Sequence, residues 1–358
     1  MPPSASGSYV YDRAPIMLYW EITRACDLAC MHCRAEAMPF RHAHELSTER
    51  AVAVLRQILD FGSPLPHLVI TGGDPLKRPD LFEIVAEAAH LGIRVSLAPS
   101  VTDLLTEDAI VRLRQAGMVG MSLSLDGSTP DLHDRIRGIR GCFDRTLEVI
   151  RTVRRHGIPL QINTLVTADT LPDLPLLFRL VETLDISRWS LFFLIAVGRG
   201  RVLRGITPAD AERLCRWVCE RAEELSFTIA PTEAPFFRRV AVDRMRRAGM
   251  TDEAITRSPT GRAFGVRDGN GILFVSHIGG VYPSGFLPVR AGDVDTASVV
   301  ELYRHAPVFM ALRDMARLKG KCARCPFKTI CGGSRARAFA GTGDYLESDP
   351  LCAYQPEP

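Results

Sequence analysis

The sequence has almost no surplus charge of either sign. Its 44 lysines and arginines face 41 aspartates and glutamates, a net charge of +3 over 358 residues. So small a surplus gives no electrostatic footing for nucleic acid or for a membrane surface. Long apolar runs are missing too. The longest, LFFLIAV at 191–197, falls well short of a membrane span and reads as a buried strand. The opening stretch, MPPSASGSYVYDRAP, lacks the basic segment and apolar core of a secretory signal. These absences lead us to expect a cytoplasmic protein with no nucleic-acid and no membrane partner. In that reducing compartment, ten cysteines argue for metal ligation or catalysis rather than disulfides.

One further absence concerns the cysteines themselves. RACDLACMHC, residues 24–33, sets Cys26, Cys30 and Cys33 at C-x3-C-x2-C spacing with no fourth thiol nearby. A closed tetrahedral zinc site takes four ligands, so His32 or His42 would have to complete one. Three thiolates and an open position suit instead an iron–sulfur cluster that binds a small molecule.

From Pro15 to about residue 226 the chain alternates strand and helix six times. The predicted strands are 17–23, 67–73, 94–100, 119–125, 160–166 and 189–197, short and rich in Val, Ile, Leu and Phe. Amphipathic helices lie between them. In LSTERAVAVLRQILDFG, Ala51, Val54, Leu55, Ile58 and Leu59 recur at helical spacing, with Ser47 as N-cap and Gly62 as stop. Such alternation means a parallel sheet with right-handed crossovers, either doubly wound or an incomplete barrel of the triosephosphate isomerase type. In both, chemistry belongs at the C-terminal ends of the strands. The three cysteines follow the first strand, TGGDP the second, Ser100 the third, LDG the fourth and GRGR the sixth. After residue 226 the pattern changes to a strand and helix, a Gly/Pro-punctuated hairpin, a helix, and a segment bearing Cys322, Cys325, Cys331 and Cys352. We therefore divide the chain into a flexible arm (1–14), an α/β unit (15–226) and a smaller second domain (227–358).

The C-x3-C-x2-C loop followed one strand later by TGGDP resembles the radical S-adenosylmethionine (SAM) superfamily. The resemblance implies a partial (β/α)6 barrel with a [4Fe–4S] cluster held by Cys26, Cys30 and Cys33. It implies SAM on the free iron, cleaved reductively to a 5′-deoxyadenosyl radical that takes hydrogen from an unactivated carbon. It places His32 at the adenine. Gly72, Gly73 and Asp74 correspond to a Gly-Gly-Glu motif that meets the methionyl amino group, with Asp shortening the reach. Ser124 is expected at the ribose or carboxylate, Asn163 at the ribose hydroxyls, and Arg137 in HDRIRG at the SAM carboxylate. Asp126 reads as a turn cap.

KCARCPFKTICGG, with Cys352, resembles the SPASM domain, an α+β module carrying auxiliary clusters. Ser284 and Arg335 stand where the full module has cysteines, so the resemblance implies one auxiliary [4Fe–4S] cluster on Cys322, Cys325, Cys331 and Cys352. Four thiolates equally make a closed zinc site. Cys142, Cys215 and Cys219 read as buried apolar residues. The stretch CGGSRARAFAGTGDYLESDPLC is similar to radical SAM enzymes of the alternative haem and d-type haem pathways. That implies a tetrapyrrole substrate, with a peptide maturase as the alternative and a non-catalytic iron–sulfur or zinc protein as a remote one. An electron donor such as flavodoxin or ferredoxin is implied. Lys77, Arg78, Arg135, Arg140, Arg199, Arg201 and Arg204 line the rim as carboxylate partners or as solvated surface. His42, His44 and His277 are candidate ligands of a porphyrin iron.

Overall fold

The computed structural model describes residues 11–222 and 225–357. Most of the expected arm, residues 1–10, lies outside them. Ten strands form one sheet: β1 Met17–Glu21, β2 His67–Thr71, β3 Val95–Leu97, β4 Gly120–Ser124, β5 Leu160–Val166, β6 Arg188–Phe193, β7 Thr228–Thr232, β8 Ile272–Val275, β9 Gly280–Tyr282 and β10 Gly292–Asp293. Their order is β10-β9-β8-β1-β2-β3-β4-β5-β6-β7. Every pairing from β8 through β1 to β7 is parallel, and only β9 and β10 turn back.

Six of these parallel strands are the predicted ones. The other two come from beyond residue 226. β7 pairs with β6, with Trp189 opposite Ile229. β8 pairs with β1, with Leu18 opposite Leu273. Periodicity cannot show such pairings, because a parallel neighbour can come from anywhere in the chain.

The helices alternate with the strands. Those that matter here are α1 Thr48–Leu59, α2 Leu81–His90, α3 Glu107–Gln115, α4 Pro130–Arg137, α5 Cys142–Arg155, α6 Leu174–Glu182, α7 Pro208–Arg221 and α8 Phe237–Arg247. Ser47 caps α1 by accepting from Arg50 N–H, and Ala51, Val54, Leu55 and Ile58 are buried as their spacing requires. Thr207 and Asp210 form a capping box at α7, where both orphan donors find a side-chain oxygen. Trp20 and Trp189 are fully buried in the core. Each large apolar side chain so buried contributes roughly 1.5–3 kcal/mol. Strand side chains alternate. Leu160, Ile162 and Thr164 of β5 are buried, while Gln161 and Asn163 on the opposite face are half-exposed. That second face is polar on neighbouring strands as well, through Ser122 and Ser124 of β4. No helix among the described residues is long and apolar enough to cross a membrane.

Candidate active site and second thiol site

The segment after β1 folds back on itself. Cys26 N–H donates to Met38 O at 2.8 Å, and Met38 N–H to Arg24 O at 3.1 Å. Cys26, Leu28 and Cys30 form a small buried cluster against which Cys33 and Ala37 pack. Glycines from the neighbouring strand ends hold this loop. A Cβ on Gly73 would lie 2.4 Å from Ala25 O, and one on Gly198 would lie 2.5 Å from Cys33 O. Gly73 N–H also donates to Thr23 O at 2.9 Å, and Asp74 N–H to Ala25 O at 2.7 Å. The space freed by the missing side chains of Gly72 and Gly73 is therefore filled by the backbone of the cysteine loop itself.

The sulfurs accept weak hydrogen bonds. Leu28 N–H reaches Cys26 Sγ at 3.3 Å, Ala37 N–H reaches Cys33 Sγ at 3.4 Å, and Arg137 Nη1 donates to Cys30 Sγ at 3.7 Å. Ser100 Oγ lies 3.4 Å from Cys26 Sγ and donates to Gly73 O at 2.8 Å, tying the two motifs together. Arg137 is buried and its Nη2 lies 2.5 Å from Asp126 Oδ2. Asp126 Oδ1 accepts Leu165 N–H, from β5, at 2.7 Å. Asp126 is thus the counter-ion of Arg137 and a link between strand ends, not the turn cap its sequence context indicated. Burial alone would push its carboxyl up, but Arg137 and the neighbouring His32 and His133 hold it below its ordinary value.

The other expected site residues converge on the same rim. Asp74 is fully buried, accepts Thr102 Oγ1 at 2.6 Å, and has its carboxyl raised by burial. His32 is pushed down to about 4 by burial and by Arg137 and Arg199, and its buried Nδ1 makes no hydrogen bond. Ser124 and Asn163 are register partners on β4 and β5, and Asn163 accepts Gln161 Nε2 at 2.7 Å.

A second group of thiols lies at the chain's other end. Cys322, Cys325, Cys331 and Cys352 line one small cavity with Lys321, Lys328, Gly332 and Gly333. Burial pushes Cys331 up to about 12 and Cys352 up to about 11. Among the described residues no three His, Cys, Asp or Glu side chains draw in closely enough to hold a single metal ion. Arg335, expected where the full module has a cysteine, is completely buried and donates to the carbonyls of Tyr345 and Glu347 at 3.1 and 2.7 Å. Ser284 is buried and accepts Phe286 N–H at 3.3 Å. Nearby Arg267 is lowered to about 9 by burial and by Arg335 and Arg238.

A model of the Radical SAM superfamily matches residues 20–180. The AdoMet-dependent heme synthase of Methanosarcina barkeri is 39% identical over 96% of this chain and 97% of that protein. The chain belongs to the radical SAM superfamily. The PqqA peptide cyclase of Rhodopseudomonas palustris is 29% identical over 96% of the chain and 88% of that protein. Streptococcus suis SuiB bound to S-adenosylmethionine superposes with a TM-score of 0.74 at 18% identity, covering 96% of this chain and 78% of that one. That likeness supports the α/β fold with its parallel sheet.

As a radical SAM enzyme, the protein works with SAM and a [4Fe–4S] cluster, and the first loop fits them. Burial raises the Cys26 thiol, so a bare sulfur there stays protonated; iron would deprotonate it outright. The N–H and guanidinium donors around the three sulfurs suit the resulting negative charge.

Not all rim cations are available to a substrate. Arg78 is buried, paired to Asp80 and bonded to Ile22 O; Lys77 pairs with Asp27, and Arg204 with Asp169. The three histidines come together: the His42 ring lies 5.5 Å from His44 and 5.2 Å from His277. His277 Nδ1 is 2.9 Å from Glu21 Oε1, and Arg34 Nη2 is 2.8 Å from Glu21 Oε2. Glu21 and Arg34 escaped the sequence reading, since a lone polar residue ending an apolar strand looks like a boundary. Cys142, Cys215 and Cys219 are buried, as expected of small apolar fillers.

Proposed function

We propose that the protein acts on the carboxylate-bearing side chains of a tetrapyrrole in haem-type biosynthesis. The observation that carries this reading is the end-to-end 39% identity to a heme synthase, against 29% to a peptide cyclase over the same span. When bound, the cluster and SAM supply a one-electron cleavage that yields a 5′-deoxyadenosyl radical able to take hydrogen from an unactivated carbon.

The chain's own residues do the rest. Cys26, Cys30 and Cys33 hold the cluster and leave one iron open. Arg137, tethered by Asp126, presents fixed positive charge beside Cys30 for the SAM carboxylate. Gly72, Gly73 and Asp74 receive the methionyl amino group. Their support comes from Thr102 and from the loop backbone, which keep the motif from shifting. Ser124 faces the ribose or carboxylate, Asn163 the ribose hydroxyls and His32 the adenine, its lowered basicity keeping the ring neutral. Cys322, Cys325, Cys331 and Cys352 hold an auxiliary [4Fe–4S] cluster; burial raises Cys325, Cys331 and Cys352, and metal would release those protons. Residues 15–226 form the barrel, and residues 227–358 an auxiliary-cluster module that lends β7 and β8 to its sheet. A flavodoxin or ferredoxin supplies the electron.

Anaerobic reconstitution, reductant, SAM and a propionate-bearing iron porphyrin test this reading. The expected result is 5′-deoxyadenosine formed together with a change in porphyrin mass. Nucleoside release with an unaltered porphyrin would return the substrate to the peptide class, and no release at all would overturn the assignment of the first site.

A further inference from the structure

The shell around the second group of thiols is unusual in its charge. Arg335 Nη2 donates to Cys322 Sγ at 3.7 Å, and its other donors go to the carbonyls of Gly333, Tyr345 and Glu347. Arg267 is buried and donates to Gly265 O at 2.7 Å and Leu312 O at 2.9 Å. Its side chain packs on the residue after Cys331, where a Cβ on Gly332 would lie 2.7 Å from Arg267 Cδ. Arg238, half-buried, donates to the carbonyl of Ile330, the residue before Cys331, at 3.3 Å. Among the described residues none of the three has a carboxylate oxygen within ion-pair distance, whereas Arg239, next in the chain, pairs with both Glu212 and Asp243.

The nearby carboxylates mostly have other partners, although the buried Oδ1 of Asp268 accepts no hydrogen bond. Asp268 accepts the backbone N–H groups of Arg335 and Ala336, Asp349 pairs with Arg337, and Glu233 accepts Ser334 Oγ. Lys321 and Lys328 add two more cations to the cavity wall. A buried charge without an ion-pair partner is costly, so this arrangement suits a further anion among the thiols. Four cysteinates on an iron–sulfur core provide one, and gaining an electron makes it more negative. At the first site Arg137 is matched by Asp126 and the carboxylate of Asp74 is buried close by, while Arg199 reaches Ala37 O without a carboxylate partner among the described residues.

We propose that Arg238, Arg267 and Arg335 raise the midpoint potential of the cluster at Cys322, Cys325, Cys331 and Cys352. This rests on the auxiliary-cluster reading above. Net charge and hydrogen bonds to sulfur are the levers by which a protein sets such potentials.

The test is a redox titration followed by electron paramagnetic resonance on the reconstituted full-length chain. Cys26, Cys30 and Cys33 are all changed to Ala so that only the second site reports. At a fixed poise, Arg335→Met should lower the ratio of reduced to oxidised cluster about tenfold, a midpoint shift of about 59 mV for one electron. Arg335→Lys keeps the charge while losing the fork and should restore most of that ratio, which a purely structural role would not. Arg238→Met gives up one hydrogen bond and should move the midpoint the same way, serving where Arg335→Met does not fold. Unmoved midpoints in Arg238→Met, and in Arg335→Met where it folds, would overturn the inference alone. Zinc in place of iron at the second site would overturn both the inference and the reading beneath it.

Discussion

The two thiol sites are built on opposite principles. The first is held by backbone: the loop's own carbonyls at Ala25 and Cys33 pack against Gly73 and Gly198, and the guanidinium that reaches its sulfurs, Arg137, has a carboxylate partner. The second is held by side chains: arginines reach across to carbonyls around the thiols and lack carboxylate partners among the described residues. A backbone cradle leaves room and freedom for a small molecule to bind. A cationic shell that closes around four thiols favours retention of a charged group. The difference separates a site that exchanges its contents from one that keeps them.

The largest effect should come from removing one thiol on each side. Cys30→Ala should abolish 5′-deoxyadenosine release while the folded chain keeps the iron of the second site. Cys325→Ala should keep some release in the absence of substrate and lose turnover of the porphyrin. Nucleoside assays with iron counts check both, and equal loss of release would erase the division between the sites.

Next come the arginines. Arg137→Met strands a buried Asp126 and should destabilise the fold by about 3–5 kcal/mol in denaturant titration. Arg335→Met leaves carbonyls and the Cys322 sulfur unpaired but strands no carboxylate, so about 1–3 kcal/mol is expected. A larger cost at Arg335 would reverse the contrast.

A pH series sharpens it further. Burial and the neighbouring Asp268 raise Glu233, beside the second site, to about 8. The folded chain then holds a proton that the unfolded chain releases near the usual carboxylate range, about 4.3. Between those values stability falls as pH rises, by at most about 1.4 kcal/mol per pH unit. Glu233→Gln should flatten that slope in melts between pH 5 and 8. Asp126, held low, works in the other sense: its contribution is present above the unfolded value and is lost on acidification. The smallest change is Ser100→Ala, which removes one hydroxyl shared by Cys26 and Gly73. About 1 kcal/mol of stability should go, with a few-fold weaker SAM binding by calorimetry.

Much of this architecture could be read from the residues. β5 begins and ends where its apolar run does, and the helix at 48–59 buries the residues its spacing nominated. Local pattern carries that information. β3 is shorter than expected and β6 begins earlier, at Arg188, because edge residues follow their neighbours' register more than their own propensity. The cysteine positions and the rim were legible because each sits beside a strand end. The partnership of Asp126 with Arg137 was not, since it depends on how α4 returns to the sheet. Nor were Arg238 and Arg267: a charged side chain reads as surface until the carbonyls around it are known.

The sheet's edges bear on how the chain is made. β1 emerges from the ribosome first, yet the neighbour that covers its open side, β8, begins at Ile272. Through most of synthesis, the row of amides beside Leu18 and Trp20 waits bare. A gene cut at residue 226 would never supply that neighbour, and its product should clump through the exposed strand instead of yielding a working fragment.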